Sequence, residues 1–183
     1  MDNIRFIRET MERAGAFTAV PGVGGMLMGA TALATAAIAG PPVESTRWLA
    51  LWLADALLAA AIAVVTIVLK ARRSGSPLTG QPARRFALAF LPPFAAGGVL
   101  TAAFTAAGSI ARLPGCWLLM YGTAVTTGGA FSVRIVPVMG LGFMALGVAA
   151  FAAPAVWGHY FMAAGFGALH IACGWLIAKD YGG

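Results

Sequence analysis

Two ionisable residues stand inside long uncharged stretches, and any acid–base chemistry within those stretches must run through them. Asp55 is the only acid in the run from Trp48 to Leu69. In a helix starting at Trp48 it lies ~10 Å from that end at 1.5 Å per residue, and ionised in a bilayer it would cost on the order of 3 kcal/mol. It must therefore face other helices. It is then either a proton or cation site, or a carboxyl hydrogen-bonded to a neighbouring helix or reached by outer water. His170 sits ~16 Å into a helix opening at His159, near the midplane, with Gly167, Cys173 and Gly174 on its face. Either its ring bonds a backbone carbonyl or it moves protons or binds a ligand. The two depths differ by ~6 Å, which tilt and side-chain length can absorb, so the spacing is compatible with an Asp55–His170 pair. Thr123, Thr126 and Thr127, followed by Gly128 and Gly129, add hydroxyls that either bond their own helix or line a cavity.

Other chemistries lack their constellations. His170-x-x-Cys173 puts two ligand types on one helical face without the second pair that marks a zinc site. His159 and His170 share one helix, whereas a single haem iron takes ligands from opposite sides. The Met residues read as gap fillers, and Cys116 and Cys173 fall in opposite halves of a bilayer, beyond disulfide reach. No metal and no cofactor is expected. No carboxylate pair, Ser with a nearby His or phosphate-cradling loop appears, so the chain does not read as an enzyme.

The elements that must carry these residues follow from composition. Of 183 residues, 60% are hydrophobic and 10% charged, against about 25% charged in soluble domains, and the mean hydropathy is +0.86. A soluble fold of 18.7 kDa has too small a core for that apolar excess, whereas a bilayer accepts it on the outside. The uncharged runs Ala14 to Val43, Phe86 to Ala111, Leu113 to Val133 and Ile135 to Ala178, with Trp48 to Leu69, predict an all-α integral membrane protein. The last run, 44 residues long, is about twice what a single span needs, and Pro154 with Trp157-Gly158 offers a turn. Six helices result, near Pro21 to Ala39, Trp48 to Leu69, Pro92 to Ile110, Cys116 to Val133, Val136 to Ala153 and His159 to Ala178.

Ahead of them, Ile4, Ile7, Met11 and Ala14 oppose Arg5, Arg8, Glu9, Glu12 and Arg13, which predicts an amphipathic interfacial helix over residues 1–16. Residues 17–183 form one transmembrane domain with a short basic loop, 70–85. Glu9 and Glu12, with the length of the apolar run, argue against a cleaved signal. With the N-terminus cytoplasmic, the inner segments carry Arg5, Arg8, Arg13, Lys70, Arg72, Arg73, Arg84, Arg85, Arg134 and Lys179, ten of the twelve cations. Arg47 and Arg112 remain outside, so both termini are expected in the cytoplasm. Lys70, Arg72, Arg73, Arg84 and Arg85 should touch anionic lipid headgroups; nucleic-acid binding would need a domain the chain lacks.

Close helix contacts, within one chain or between two, are expected at Gly25 and Gly29, a Gly-x-x-x-Gly pair, and along the ridge Ala164, Ala168 and Ala172. Three tandem hairpins are the simplest description. Val20-Pro21, Leu91-Pro92 and Val136-Pro137 open the odd helices, where Pro suits a first turn. Trp48, Trp117 and Tyr160 open the even ones. Setting Val20-Pro21 on Val136-Pro137 also pairs Gly24 with Gly140 and Met28 with Met144.

The third hairpin, GLGFMALGVAAFAAPAVWGHYFMAAGFGALHIACGWLIAK, resembles the hairpin unit of HdeD-like acid-resistance membrane proteins. The likeness covers about one third of the chain and departs at Pro92-Pro93 and TTGGAFS in the middle hairpin. RETMERAGAFTAVPG and FSVRIVPVMG also resemble segments of small bacterial membrane proteins without an assigned activity. These resemblances imply a multi-pass protein of the bacterial inner membrane and transfer no mechanism. The expected function is non-enzymatic: a subunit or accessory of a membrane assembly, with the bilayer, other membrane subunits or further copies of itself as partners. The alternative is a small-solute or proton-linked transporter or channel using Asp55, His170 and the threonine-rich helix.

Overall fold

A computed structural model describes residues 16–42, 46–75 and 78–182 of the chain; the amphipathic helix expected at residues 1–16 falls almost wholly outside them. The described residues are all-α, with six helices: α1 (Gly22–Ala39), α2 (Thr46–Ser74), α3 (Gln81–Ala106), α4 (Leu113–Gly129), α5 (Ile135–Ala152) and α6 (Ala155–Tyr181). Five are long and apolar enough to cross a membrane. The other, α4, has 17 residues and continues from a 3-10 turn at Ile110–Arg112. It is also the most enclosed, with Leu113, Leu118 and Ala124 fully buried.

The helices alternate in direction. At one end Pro42, Pro114 and Gly158 meet, and Trp48 stacks on Trp117 with ring centroids 5.5 Å apart. At the other, Phe17 N–H donates to Phe131 O (2.7 Å) and Ser132 Oγ donates to Phe17 O (2.7 Å), tying the segment before α1 to the α4–α5 turn. Lys70, Arg72, Arg73, Arg84, Arg85, Arg134 and Lys179 all lie at this second, basic end, while Arg47 and Arg112 lie at the first.

Two glycine seams hold the centre. In the antiparallel α4–α5 pair, a Cβ on Gly140 would lie 2.5 Å from Thr126 N, one on Gly129 2.7 Å from Pro137 N, and one on Gly147 2.8 Å from Leu119 N. Backbones this close admit no side chain, and small residues bring apolar helices into such contact without any hydrophobic drive. In the α1–α6 pair, a Cβ on Gly22 would lie 2.6 Å from Gly174 O, one on Gly29 2.7 Å from Gly167 O and one on Gly174 2.8 Å from Met26 N. α2 then leans on α1 and α3 on α4, and α5 meets α6 through side chains, Phe143 against Phe166 and His170. Gly25 and Gly29 lie in this seam. Of the ridge Ala164, Ala168 and Ala172, Ala168 and Ala172 are exposed, because Gly167 and Gly174 take the face toward α1, so this ridge does not pack within the chain. The seam of Gly115, Gly122 and Gly129 against Gly140 and Gly147 was not anticipated, although its seven-residue spacing is legible in both helices.

Helix α3 corrects a second expectation. It begins at Gln81, with Pro82 in its first turn, and Pro92 and Pro93 lie in its interior. Hydropathy locates the stretch an apolar medium can hold, and the helix continues past it through Arg84 and Arg85. For the same reason the basic loop expected at 70–85 contracts to the residues between Ser74 and Gln81, with its cations on the ends of α2 and α3. Of those cations Arg72, Arg73, Arg84 and Arg85 are exposed. Lys70 is buried instead, its Nζ donating to Val20 O (3.0 Å) and Gly182 O, so it joins three segments and is not available to a headgroup.

Candidate functional site

His170 is 5% exposed and sits where α6 returns from a π-helical stretch, Ala163–Leu169, to α-helix. π-Turns insert a residue into the helical ladder and recur at functional positions. Its Nδ1 lies 3.1 Å from Phe166 O and its Nε2 2.8 Å from the Tyr121 hydroxyl. A carbonyl only accepts, so Nδ1 carries a hydrogen; in the neutral ring Nε2 is then the acceptor and Tyr121 O–H donates to it. Among the described residues no acid pairs with the ring to balance an imidazolium. Rings close the surroundings: Tyr121 lies 4.9 Å from Phe143 and 5.2 Å from Phe166, and Phe143 lies 5.1 Å from His170. Both ring nitrogens are thus occupied, and the dyad joins α4 to α6.

Asp55 is placed apart from it. The carboxyl is 7% exposed and faces α1, where the Thr31 and Thr35 hydroxyls approach it. The Thr31 hydroxyl donates to Met28 O at 2.9 Å. Among the described residues no hydrogen bond joins Asp55 to His170, so the pair that the depths allowed does not form. Asp55 Oδ1 is buried without a partner, and so are Trp48 Nε1 and Trp52 Nε1. These three residues recur at i, i+4 and i+7, one face of α2. Each orphaned polar atom costs about 1–3 kcal/mol, and native structures keep few of them. Trp117, stacked on Trp48, differs: its Nε1 donates to Thr101 Oγ1 at 2.7 Å. Neither indole stands out as a site in the sequence, where Trp48 reads only as the opening of an even helix.

The threonines of α4 are committed to backbone carbonyls. Thr123 Oγ1 donates to Leu119 O (2.8 Å) and Thr126 Oγ1 to Gly122 O (2.8 Å). Thr127 Oγ1 lies 2.8 Å from Thr123 O and 2.8 Å from Ala89 O on α3. Ala89 stands four residues before Pro93, which has no N–H to offer it. Thr127 thus supplies the hydrogen that proline withholds, the usual way an apolar helix tolerates an internal proline.

One further opening matters. Between α2 and α3 lies a groove of about 570 Å³, open to the side and lined by Leu49, Leu53, Gly98, Thr101, Ala102 and Thr105. Gly98, Ala102 and Ala106 follow at four-residue spacing and are exposed. A Cβ on Gly98 would meet nothing within 4 Å. Among the described residues no group of three or more His, Cys, Asp or Glu converges on a metal-sized site, and both Cys116 and Cys173 are buried free thiols. Comparison of the chain with protein-family models, with curated proteins and with solved structures finds no match.

Proposed function

We propose that the chain is a multi-pass protein of the bacterial inner membrane, with both termini cytoplasmic, that acts through helix contacts as a non-catalytic subunit or accessory of a membrane assembly. The observation that carries this reading is the groove between α2 and α3. Small residues at four-residue spacing are what apolar helices use to approach one another, and in the seams inside the molecule such glycines meet a neighbouring backbone. On α3 the ridge Gly98, Ala102 and Ala106 meets none, and α2 beside it keeps Leu57 75% exposed. A spanning helix of a partner subunit or of another copy fits that space. The basic end, by the cation count, faces the cytoplasm. Transport through an Asp55–His170 relay draws no support from the placement of the two residues, whose partners lie on different helices.

The test is Gly98→Leu with Ala102→Leu, which fills the ridge without touching the seams. Native mass spectrometry of protein extracted in mild detergent should show the wild type in a complex and the double variant released from it, with thermal unfolding of the chain unchanged. A wild type that is monomeric and free of bound subunits, and a variant equal to it in the cell, would overturn the reading.

A further inference from the structure

We infer that Trp48, Trp52 and Asp55 form a hydrated recess inside the helix bundle, in which water accepts from the two indole N–H groups and donates to Asp55 Oδ1. The three orphaned atoms lie on residues 2%, 3% and 7% exposed, so bulk solvent does not satisfy them. They occupy one face of α2 within two turns. Their chemistry selects the occupant: indole N–H only donates and so disfavours a metal cation, while the carboxyl disfavours an anion. A species that both accepts and donates completes the set, and ordered water is the smallest that does.

The neighbouring elements fix how far the recess extends. From α1 the Thr31 and Thr35 hydroxyls face the carboxyl; Phe166 of α6 packs on Trp52 and Trp117 of α4 on Trp48, so no charged group opposes Asp55 from these helices. Toward the basic end the same face of α2 continues as Ala59, Ile62, Ala63 and Thr66. Thr66 Oγ1 is already taken by Ile62 O at 2.6 Å. Hydration therefore begins at the Trp48 end and stops at Asp55, giving a dead-ended polar recess and not a through-path. It is internal to the bundle and stands independently of the docking role of the α2–α3 groove.

Indole N–H exchange tests this, using ¹⁵N-tryptophan-labelled protein in phosphatidylcholine nanodiscs transferred to D₂O, with signals assigned by Trp→Phe variants. After the exposed Trp157 and Trp175, the Trp48 and Trp52 N–H signals should be the next to be lost. That of Trp117, held by Thr101, should persist roughly tenfold longer, as protected hydrogen bonds do. In Asp55→Leu, which removes the oxygen that anchors the water, exchange at Trp52 should slow toward the Trp117 rate. Trp48 and Trp52 protected as well as Trp117 in the wild type would show a dry site and overturn the proposal, as would an exchange rate at Trp52 indifferent to Asp55→Leu. Rapid exchange confined to nanodiscs of phosphatidylglycerol, whose headgroup carries hydroxyls, would assign the oxygen to lipid and overturn water as the occupant.

Discussion

At the scale of single residues, polar groups in this bundle outside the Trp48, Trp52 and Asp55 face of α2 are spent on carbonyls or on each other. His170 and Tyr121 satisfy one another across α4 and α6, so Tyr121→Phe leaves Nε2 of a buried ring without its donor. The expected cost is about 1–3 kcal/mol, whereas removing both partners for apolar groups of similar shape should cost less than the single change. Reversible unfolding in mixed micelles checks it. Thr127 and Pro93 make a second pair through Ala89 O. Thr127→Val should cost about 0.5–2 kcal/mol, in the range of hydrogen bonds between apolar helices. In a Pro93→Ala background that cost should shrink, because the new N–H reaches the same carbonyl. A double-mutant cycle with no coupling would separate the two residues.

At the scale of helices, glycine position decides whether a methyl group is tolerated. Gly140 and Gly98 have the same residue type on equally apolar helices. At Gly140 an added Cβ meets Thr126 N at 2.5 Å and Gly122 O at 2.8 Å; at Gly98 it meets nothing. Backbone atoms cannot swing aside, so Gly140→Ala should destabilise by about 1–3 kcal/mol or more through overpacking. Gly98→Ala should be neutral or stabilising by up to about 1 kcal/mol, the helix-propensity gain of Ala over Gly. Equal effects of the two in the same unfolding assay would deny the α4–α5 seam. The π-helical stretch Ala163–Leu169 acts on this scale as well. It brings Gly167 and Gly174 to α1 and His170 to Tyr121 on one helix, while Ala168 and Ala172 turn outward.

For the whole molecule, charge and aromatic placement agree on one axis. Among the described residues seven cations lie at the basic end and Arg47 and Arg112 at the other, with exposed Trp157 and Tyr160 at the latter and exposed Trp175 and Tyr181 at the former. Amphipathic rings at both ends of an apolar band are what two membrane–water interfaces favour. With the proposed orientation, Thr79→Cys in intact cells should be protected from a membrane-impermeant thiol reagent and Thr46→Cys should react. The reverse pattern would invert the molecule.

The positions of the helices were largely legible from the sequence because an apolar run needs no partner to be recognised: helices placed at Trp48 to Leu69 and Val136 to Ala153 are seen as Thr46–Ser74 and Ile135–Ala152, though α3 begins well before the expected Pro92. Asp55 and His170 stood out for the same reason, as ionisable groups among apolar neighbours. What each one touches was not legible. Contact depends on which helices pair and in what register, and in an apolar medium that is decided by where backbones can approach, not by an amphipathic stripe. The α1–α6 seam draws together segments far apart in the chain, and the π-turn shifts which residues of α6 face it. Tertiary packing alone therefore gave His170 to Tyr121, turned Asp55 toward Thr31 and Thr35, drew Lys70 inward to Val20 O and Gly182 O, and left the small-residue ridge of α3 bare while burying those of α1, α4 and α5.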